Sequence, residues 1–552
     1  MMNTIVRPPA VPAASGPSPV VQETNCEPSK AIAVQPSQPG VDANDSNKRR
    51  NEELDKARVE TEARTGIRSG RAVTSESWET DKHYYARVLN AQIHPMVGYF
   101  FSLGNERVIA RYMHLNPQVN EQTLRNCLEY VPKHFLWAGS DLLNVTTASG
   151  QRQMIIVETN SCPSGQKSMP LLTELDEHGG YRSVLETTFI ASLQKVDKSL
   201  GSLAVVYDKN LMEASGYAAT LAELAHEKVW LVEYRDSDQD PSVKWVDRLM
   251  YIRDEHKEWH PIRACFRYVI QRPWNRFPLV TRTLVINRTI ACLAGGRNKS
   301  VAAKAYELLN AELVDSGLHI HVPETIHNVT KSEIPLWLDS MGGHAVVKVP
   351  YNCAGQGVYT ITSKQELQLF MESPQRYDKF IVQSLVGNSS WSSSTRPGKY
   401  YHVGTLPNKK NDIFVTDMRM MVTGGKDGFR PICIYSCKAR KPLLNQLRED
   451  PTTTSWEMLG TNLSVIDPAT EEWSTDTSRL LLMDRKDFNQ LGLGVDDLID
   501  AYIQTILAVI AIDKMCQRLL KEDSSVESGL KFDLELFQAL NPDPALWKEI
   551  LL

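Results

Sequence analysis

Apolar positions along the chain fall into two rhythms. Short runs at 153–159 (QMIIVET), 203–208 (LAVVYD), 228–234 (KVWLVEY), 283–287 (TLVIN), 344–349 (HAVVKV), 379–385 (KFIVQSL), 414–422 (FVTDMRMMV) and 431–436 (PICIYS) predict strands. Helical spacing predicts helices over 121–131, 217–227, 300–313, 363–372 and 496–521. Strands followed now by helices and now by strands predict mixed sheets, an α+β or α/β protein. Residues 202–236 read strand, helix, strand, a small doubly wound unit, and contain no GxGxxG to suggest a dinucleotide. The 496–521 run is the most apolar. Asp500 and Asp513 bracket an uncharged interval too short to span a bilayer, so it predicts a buried core helix.

Residues 1–47 break both rhythms. They are rich in Pro, Ser, Ala and Val with almost no aromatic residues, and predict disorder because they bury too little to offset chain entropy. Residues 48–71 are highly charged and suit a solvated helix, so folded sequence is expected from about Trp78. Arg7 is the one basic residue before Lys30, a poor match to a mitochondrial presequence.

With 552 residues, 42% hydrophobic and 23% charged, the chain has the makeup of a soluble protein of two or more domains. A net charge of −5 exerts no global pull on nucleic acid or acidic membranes. Nine cysteines without a CxxC pair predict reduced thiols and a cytoplasmic protein. Cys433 and Cys437 are close, but nothing nearby completes a four-ligand zinc set.

Five stretches carry candidate chemistry. In 154–170, Glu158 and Asn160 end an apolar strand on one face and either cap a turn or hold a ligand. In 344–360, Lys348 ends a strand beside a turn containing Asn352, Gly355, Gln356 and Gly357. That turn suits phosphate through an ammonium and close backbone N–H groups, and equally suits a hairpin with a solvated lysine. At 378–387 a strand through Gln383 and Leu385 offers a hinge whose backbone reads an adenine edge. In 413–442, Asp417 and Arg419 share a strand face and Arg440 comes from the next strand; the two guanidiniums either converge on an anion or form cross-strand ion pairs. At 286–305, Lys299 opens a helix after a Gly-Gly break, placed for phosphate or simply as a helical first turn.

The order of these signals resembles the ATP-grasp superfamily. With the E-x-N pair upstream of the DxR strand, it resembles the circularly permuted branch and eukaryotic-type glutathione synthetase in particular. WAGSDLLN (137–144), IIVETNSCPSG, RACFRYVIQRPWNRF (263–277), CLAGGRNKSVAAKAYELL and VVKVPYNCAGQGVY carry the likeness over roughly 78–445. The resemblance implies a disordered tail over 1–75 and an ATP-grasp core beginning in 76–200. It further implies an inserted small α/β substrate domain at 201–285, and a lid with the rest of the core in 286–552.

It also implies ATP and Mg²⁺ as cofactors, and ligation of an amino acid or peptide carboxylate to an amine through an acyl phosphate, with ADP released. Glutathione or γ-glutamyl peptide synthesis proper, or a catalytically weak nucleotide-binding scaffold, are alternatives. On this reading Glu158, Asn160 and Asn352 ligate metal, and Lys299 and Lys348 hold phosphates. Arg419 or Arg440 clamps the acyl phosphate, while Arg267 and Asp141 meet substrate carboxylate and amine. The partners are small molecules, with a possible homodimer. Gly139 stands where the family has arginine, and Asn352 where it has a glutamate. Asn541-Pro542 offers a second metal candidate.

Overall fold

The computed structural model describes residues 68–173, 175–351, 355, 357–396, 398–447, 454–466, 473–525 and 529–550. Of the tail expected over 1–75, residues 1–67 lie outside the described residues, as do Asn352 and Gln356. Within the described part, three sheets build the site.

The first is wholly antiparallel. Trp137–Thr147 pairs with Arg152–Asn160 on one side and Thr416–Gly425 on the other, and the sheet continues into Gly428–Lys438 and Leu480–Leu481. Strands 152–160 and 416–425, some 260 residues apart in the chain, therefore flank one strand. Val495–Leu519 covers the back of this sheet, and its aliphatic positions are buried nearly all round. The two acids that bracket its apolar interval are anchors. Asp513 accepts hydrogen bonds from the N–H groups of Lys133, His134 and Phe135 and from the Tyr130 hydroxyl, pinning the turn that leads into strand 137–147. Asp500 accepts from Met154 N–H at 2.7 Å at the start of strand 152–160. A buried carboxylate is tolerable only with such partners.

The second sheet is also antiparallel, in the order Thr325–Thr330, Lys379–Ser384, Ala345–Lys348, Val358–Ile361. Lys364–Glu372 packs on it, capped by the Ser363 hydroxyl, which accepts from Glu366 N–H. The third sheet has a parallel centre of Ser202–Tyr207, Val229–Glu233, Trp259–Tyr268 and Leu284–Ile286, widened by the antiparallel pair Val243–Val246 and Leu249–Arg253. Leu211–Ala225 is its crossover helix.

Two elements depart from the sequence expectation. Arg71–Val73, expected in the tail, adds an edge strand to the third sheet because Val73 is buried against its core. Trp137–Thr147, the centre of the first sheet, carries too many small and polar residues (Gly139, Ser140, Asp141, Asn144) to read as a strand by hydrophobic run. No helix among the described residues is long and apolar enough to cross a membrane.

Candidate functional site

The first and second sheets face one another across a cleft of about 310 Å³. Strand periodicity of two puts Glu158 and Asn160 on the cleft side of strand 152–160. Register places Asp141 opposite Glu158 and Gly139 opposite Asn160. From the facing sheet come Lys348, at the end of strand 345–348 and paired with Ile381, and Gln383, paired with Val346 and diagonal to Lys348 across the ladder. Lys299 enters from the first turn of Lys299–Glu312, whose N-cap Asn298 accepts from Val301 N–H.

Charge is concentrated at Glu158. Lys299 Nζ lies 3.1 Å from Glu158 Oε1. Burial pushes the Glu158 carboxyl toward its neutral form, but Lys299, Arg297 and Lys348 outweigh burial and hold it below its usual range. Lys348 is buried. Its ammonium donates to Gln383 Oε1 at 2.6 Å and to the Val157 carbonyl at 3.2 Å. Burial, reinforced by Lys299, lowers it to about 8 despite the attraction of Glu158 and Asp141. Two cations and one ionised carboxylate thus meet at the mouth of a strand, a charge arrangement that could hold a polyanion together with a hard cation.

Beyond Glu158 the cleft is closed by an ion pair. Arg419 holds Asp141 bidentately at 2.6 and 2.7 Å and donates to the Ser164 carbonyl at 3.1 Å. Asp417, on the same strand face, accepts from the Thr461 hydroxyl and Cys437 N–H. Burial and the nearby Asp141 push its carboxyl up to about 7.

Other expected site residues are placed differently. Arg267 is fully buried near the end of strand 259–268 of the third sheet, donating to the carbonyls of Asn287 and Val269, and does not line the cleft. Arg440 is exposed, because strand 428–438 ends before it and its side chain no longer follows the ladder into the cleft. No second guanidinium joins Arg419 from that strand. Asn541 is fully buried; its carboxamide oxygen accepts from Asn298 and its nitrogen donates to the Phe537 carbonyl. It supports the helix cap that presents Lys299.

At Gly139 the missing arginine has a steric explanation: a Cβ there would lie 2.7 Å from Pro163 Cβ. Gln383 and Leu385 do line the cleft. However, Gln383 sits in a strand paired on both sides. The Leu385 N–H donates to Ser393 Oγ at 2.7 Å, and its carbonyl accepts from Ser393 N–H and the Ser392 hydroxyl. The hinge expected to read adenine is thus occupied by the chain itself. Gly355 and Gly357 have φ of +74° and +68°, and a side chain at 355 would strike Asn462 Nδ2 at 2.6 Å, so this turn requires glycine.

Two contributors were not singled out in the sequence. Arg297 donates to Asn160 Oδ1 at 2.9 Å and to the Cys162 carbonyl, two residues before Lys299 in the GGRNK turn that already drew notice. Glu213, in the first turn of helix 211–225, is fully buried. It accepts from Ser164 Oγ and Tyr268 OH and from the N–H groups of Gly165 and Gln166. It locks the 161–168 turn against the cleft, a contact no local pattern announces.

No protein-family model and no curated protein matches the chain. Solved structures do match. A glutathione synthetase-like effector from Globodera pallida matches at 9% identity over 63% of this chain and 86% of its own, with a TM-score of 0.35. A RimK-domain ATP-grasp protein from Sphaerobacter thermophilus matches at 13% identity over 42% and 90%, with a TM-score of 0.25. A carboxyaminoimidazole ribonucleotide synthase from Aspergillus clavatus, complexed with ATP, matches at 10% identity over 42% and 69%, with a TM-score of 0.24.

Proposed function

We propose that this chain is an ATP-dependent carboxylate–amine ligase, forming an amide through an acyl phosphate with release of ADP. The observation that carries the reading is the convergence of Lys299 and Lys348 on the ionised Glu158 between two antiparallel sheets. Such a reaction asks little covalent chemistry of the protein; positioning and neutralising charge do the catalysis. Lys348 and Lys299 would hold phosphate oxygens, Lys299 exchanging its carboxylate partner for phosphate.

The donor set suits Mg²⁺, a hard cation that takes one or two carboxylates and completes its shell with phosphate and water. Glu158 would hold it, with Asn160 contributing if Arg297 moves off its carboxamide oxygen. Bound magnesium would neutralise phosphate charge. Asp141 and Arg419 orient one another and the Ser164 backbone, at the end of the cleft where an acid substrate must enter. The flanking of strand 137–147 by strands from distant parts of the chain supports a permuted order for the core.

A second reading, a nucleotide-binding scaffold, is favoured by the self-occupied hinge at Leu385 and by the occupied Asn160 carboxamide. Incubation with Mg·ATP and pools of amino acids and small peptides separates the two, with ADP and phosphate release followed alongside mass detection of new amides. Release of AMP and pyrophosphate would exclude the acyl-phosphate route. ATP binding without turnover in any pool would select the scaffold.

A further inference from the structure

We propose that Lys167 is a recognition residue for a second carboxylate on the acid substrate, so that the substrate is a dicarboxylic acid, free or as an amino acid or peptide. This rests on the ligase reading. Lys167 lies in the 3₁₀ turn Gln166–Ser168 and lines the same cleft as Glu158. It is 8% exposed. Its ammonium has three protons to donate, yet among the described residues it makes a single hydrogen bond, a long one of 3.4 Å to Asn210 Oδ1, with the Tyr85 ring 5.3 Å away. No described carboxylate lies within ion-pair distance of it.

Nearby acids are already committed: Asp141 to Arg419, and Glu213 to four donors of its own. A nearly buried ammonium without a counter-charge is unfavourable and persists where a ligand supplies the anion. The surroundings are built rather than loose. Glu213 fixes the turn, Tyr85 N–H donates to the Lys167 carbonyl, and Asn210 is held at φ 59°, ψ 54°, a left-handed conformation uncommon outside glycine.

The anion is not the reacting carboxylate. That group must reach the phosphates held by Lys299 and Lys348, whereas Lys167 sits on the 164–168 turn, which Arg419 and Glu213 hold through Ser164, Gly165 and Gln166. Arg267 and Arg440 do not line the cleft. Of the cations that do, Arg419 holds Asp141, Lys299 faces Glu158, Lys348 holds Gln383, Arg297 holds Asn160 and Lys209 has a partner of its own, so Lys167 is the one suited to a second carboxylate.

The test measures binding by titration calorimetry in the presence of magnesium and a non-hydrolysable ATP analogue. Its probes are succinate through pimelate, L-aspartate and L-glutamate, each against its monoamides. At least one diacid is expected to bind about tenfold or more tighter than its monoamides, as befits a lost charge-assisted pair. Lys167→Met should reduce that preference below about twofold and Lys167→Arg restore part of it. Lys167→Met should also raise the Tm of the ligand-free protein by about 1–3 °C, since it removes an uncompensated buried charge.

A diacid preference that survives Lys167→Met, or a series in which no diacid binds below about 10 mM, overturns the proposal. Hydroxamate formation with Mg·ATP and hydroxylamine, run on the same series, keeps the two readings apart. Lys167-dependent diacid binding without hydroxamate sinks the ligase reading and leaves the recognition site standing. Hydroxamate made equally from diacid and monoamide leaves the ligase and removes the site.

Discussion

Lys299 Nζ stands 3.1 Å from Glu158 Oε1, an ion pair between a helix first turn and a strand end. The pair keeps Glu158 ionised, and on the proposed reading a bound nucleotide would take over its lysine. Glu158→Gln should therefore lower ADP release about 10³-fold or more, by removing the charge that holds the metal. It should also destabilise the fold by roughly 1–3 kcal/mol, because Lys299, Lys348 and Arg297 lose their shared counter-charge. Stopped-time ADP assays and urea unfolding check both; full activity in this variant would refute the metal assignment.

Lys348 titrates near 8, against a usual 10.5, because it is buried. Phosphate contact would raise it again, so ATP binding at pH 8 should take up about half a proton and at pH 6.5 almost none. Calorimetry in buffers of different ionisation enthalpy reads this directly. In the ligand-free protein the unfolded chain binds more protons than the folded one between about 8 and 10.5. Stability attributable to this group therefore rises with pH across that window. Lys348→Met should lack that rise.

Ser393 occupies the backbone N–H of Leu385 at 2.7 Å. If adenine competes for that donor, Ser393→Ala should tighten ATP binding about 3- to 10-fold, the worth of one hydrogen bond. Unchanged or weaker binding would place the adenine elsewhere.

Asp417 is pushed up to about 7 from a usual 3.8 by burial and Asp141. A raised carboxyl contributes its full stability below its unfolded value and loses it as pH climbs through the folded one, here from about 4 to about 7. Asp417→Asn keeps the shape without the charge. Its Tm relative to the parent should climb between about pH 4 and pH 7 and level off above that in a thermal series.

Pro163 fills the place an arginine at 139 would need. Gly139→Arg should accordingly fail to improve nucleotide binding and should cost about 2–3 kcal/mol by overpacking. An active, equally stable variant would show the turn at 163 to be more yielding than its packing implies.

By itself the sequence determined the elements and the faces their side chains share. The period of two put Glu158 beside Asn160 and Asp417 beside Arg419, and the helical spacing after Asn298 set Lys299 at a first turn. Those are local facts, written in side-chain periodicity and caps. It was less able to announce Trp137–Thr147, whose small and polar residues are explained by partners on both flanks rather than by its own pattern.

Tertiary structure decided which of the candidate groups are free. Arg419 is spent on Asp141, Arg267 on backbone carbonyls and Asn541 on the cap of the lysine helix, while Lys167, three residues past Ser164, has among the described residues one long hydrogen bond and no carboxylate. A charged side chain's role depends on what lies within about 4 Å of it, and those neighbours come from segments hundreds of residues away, where no sequence period reaches.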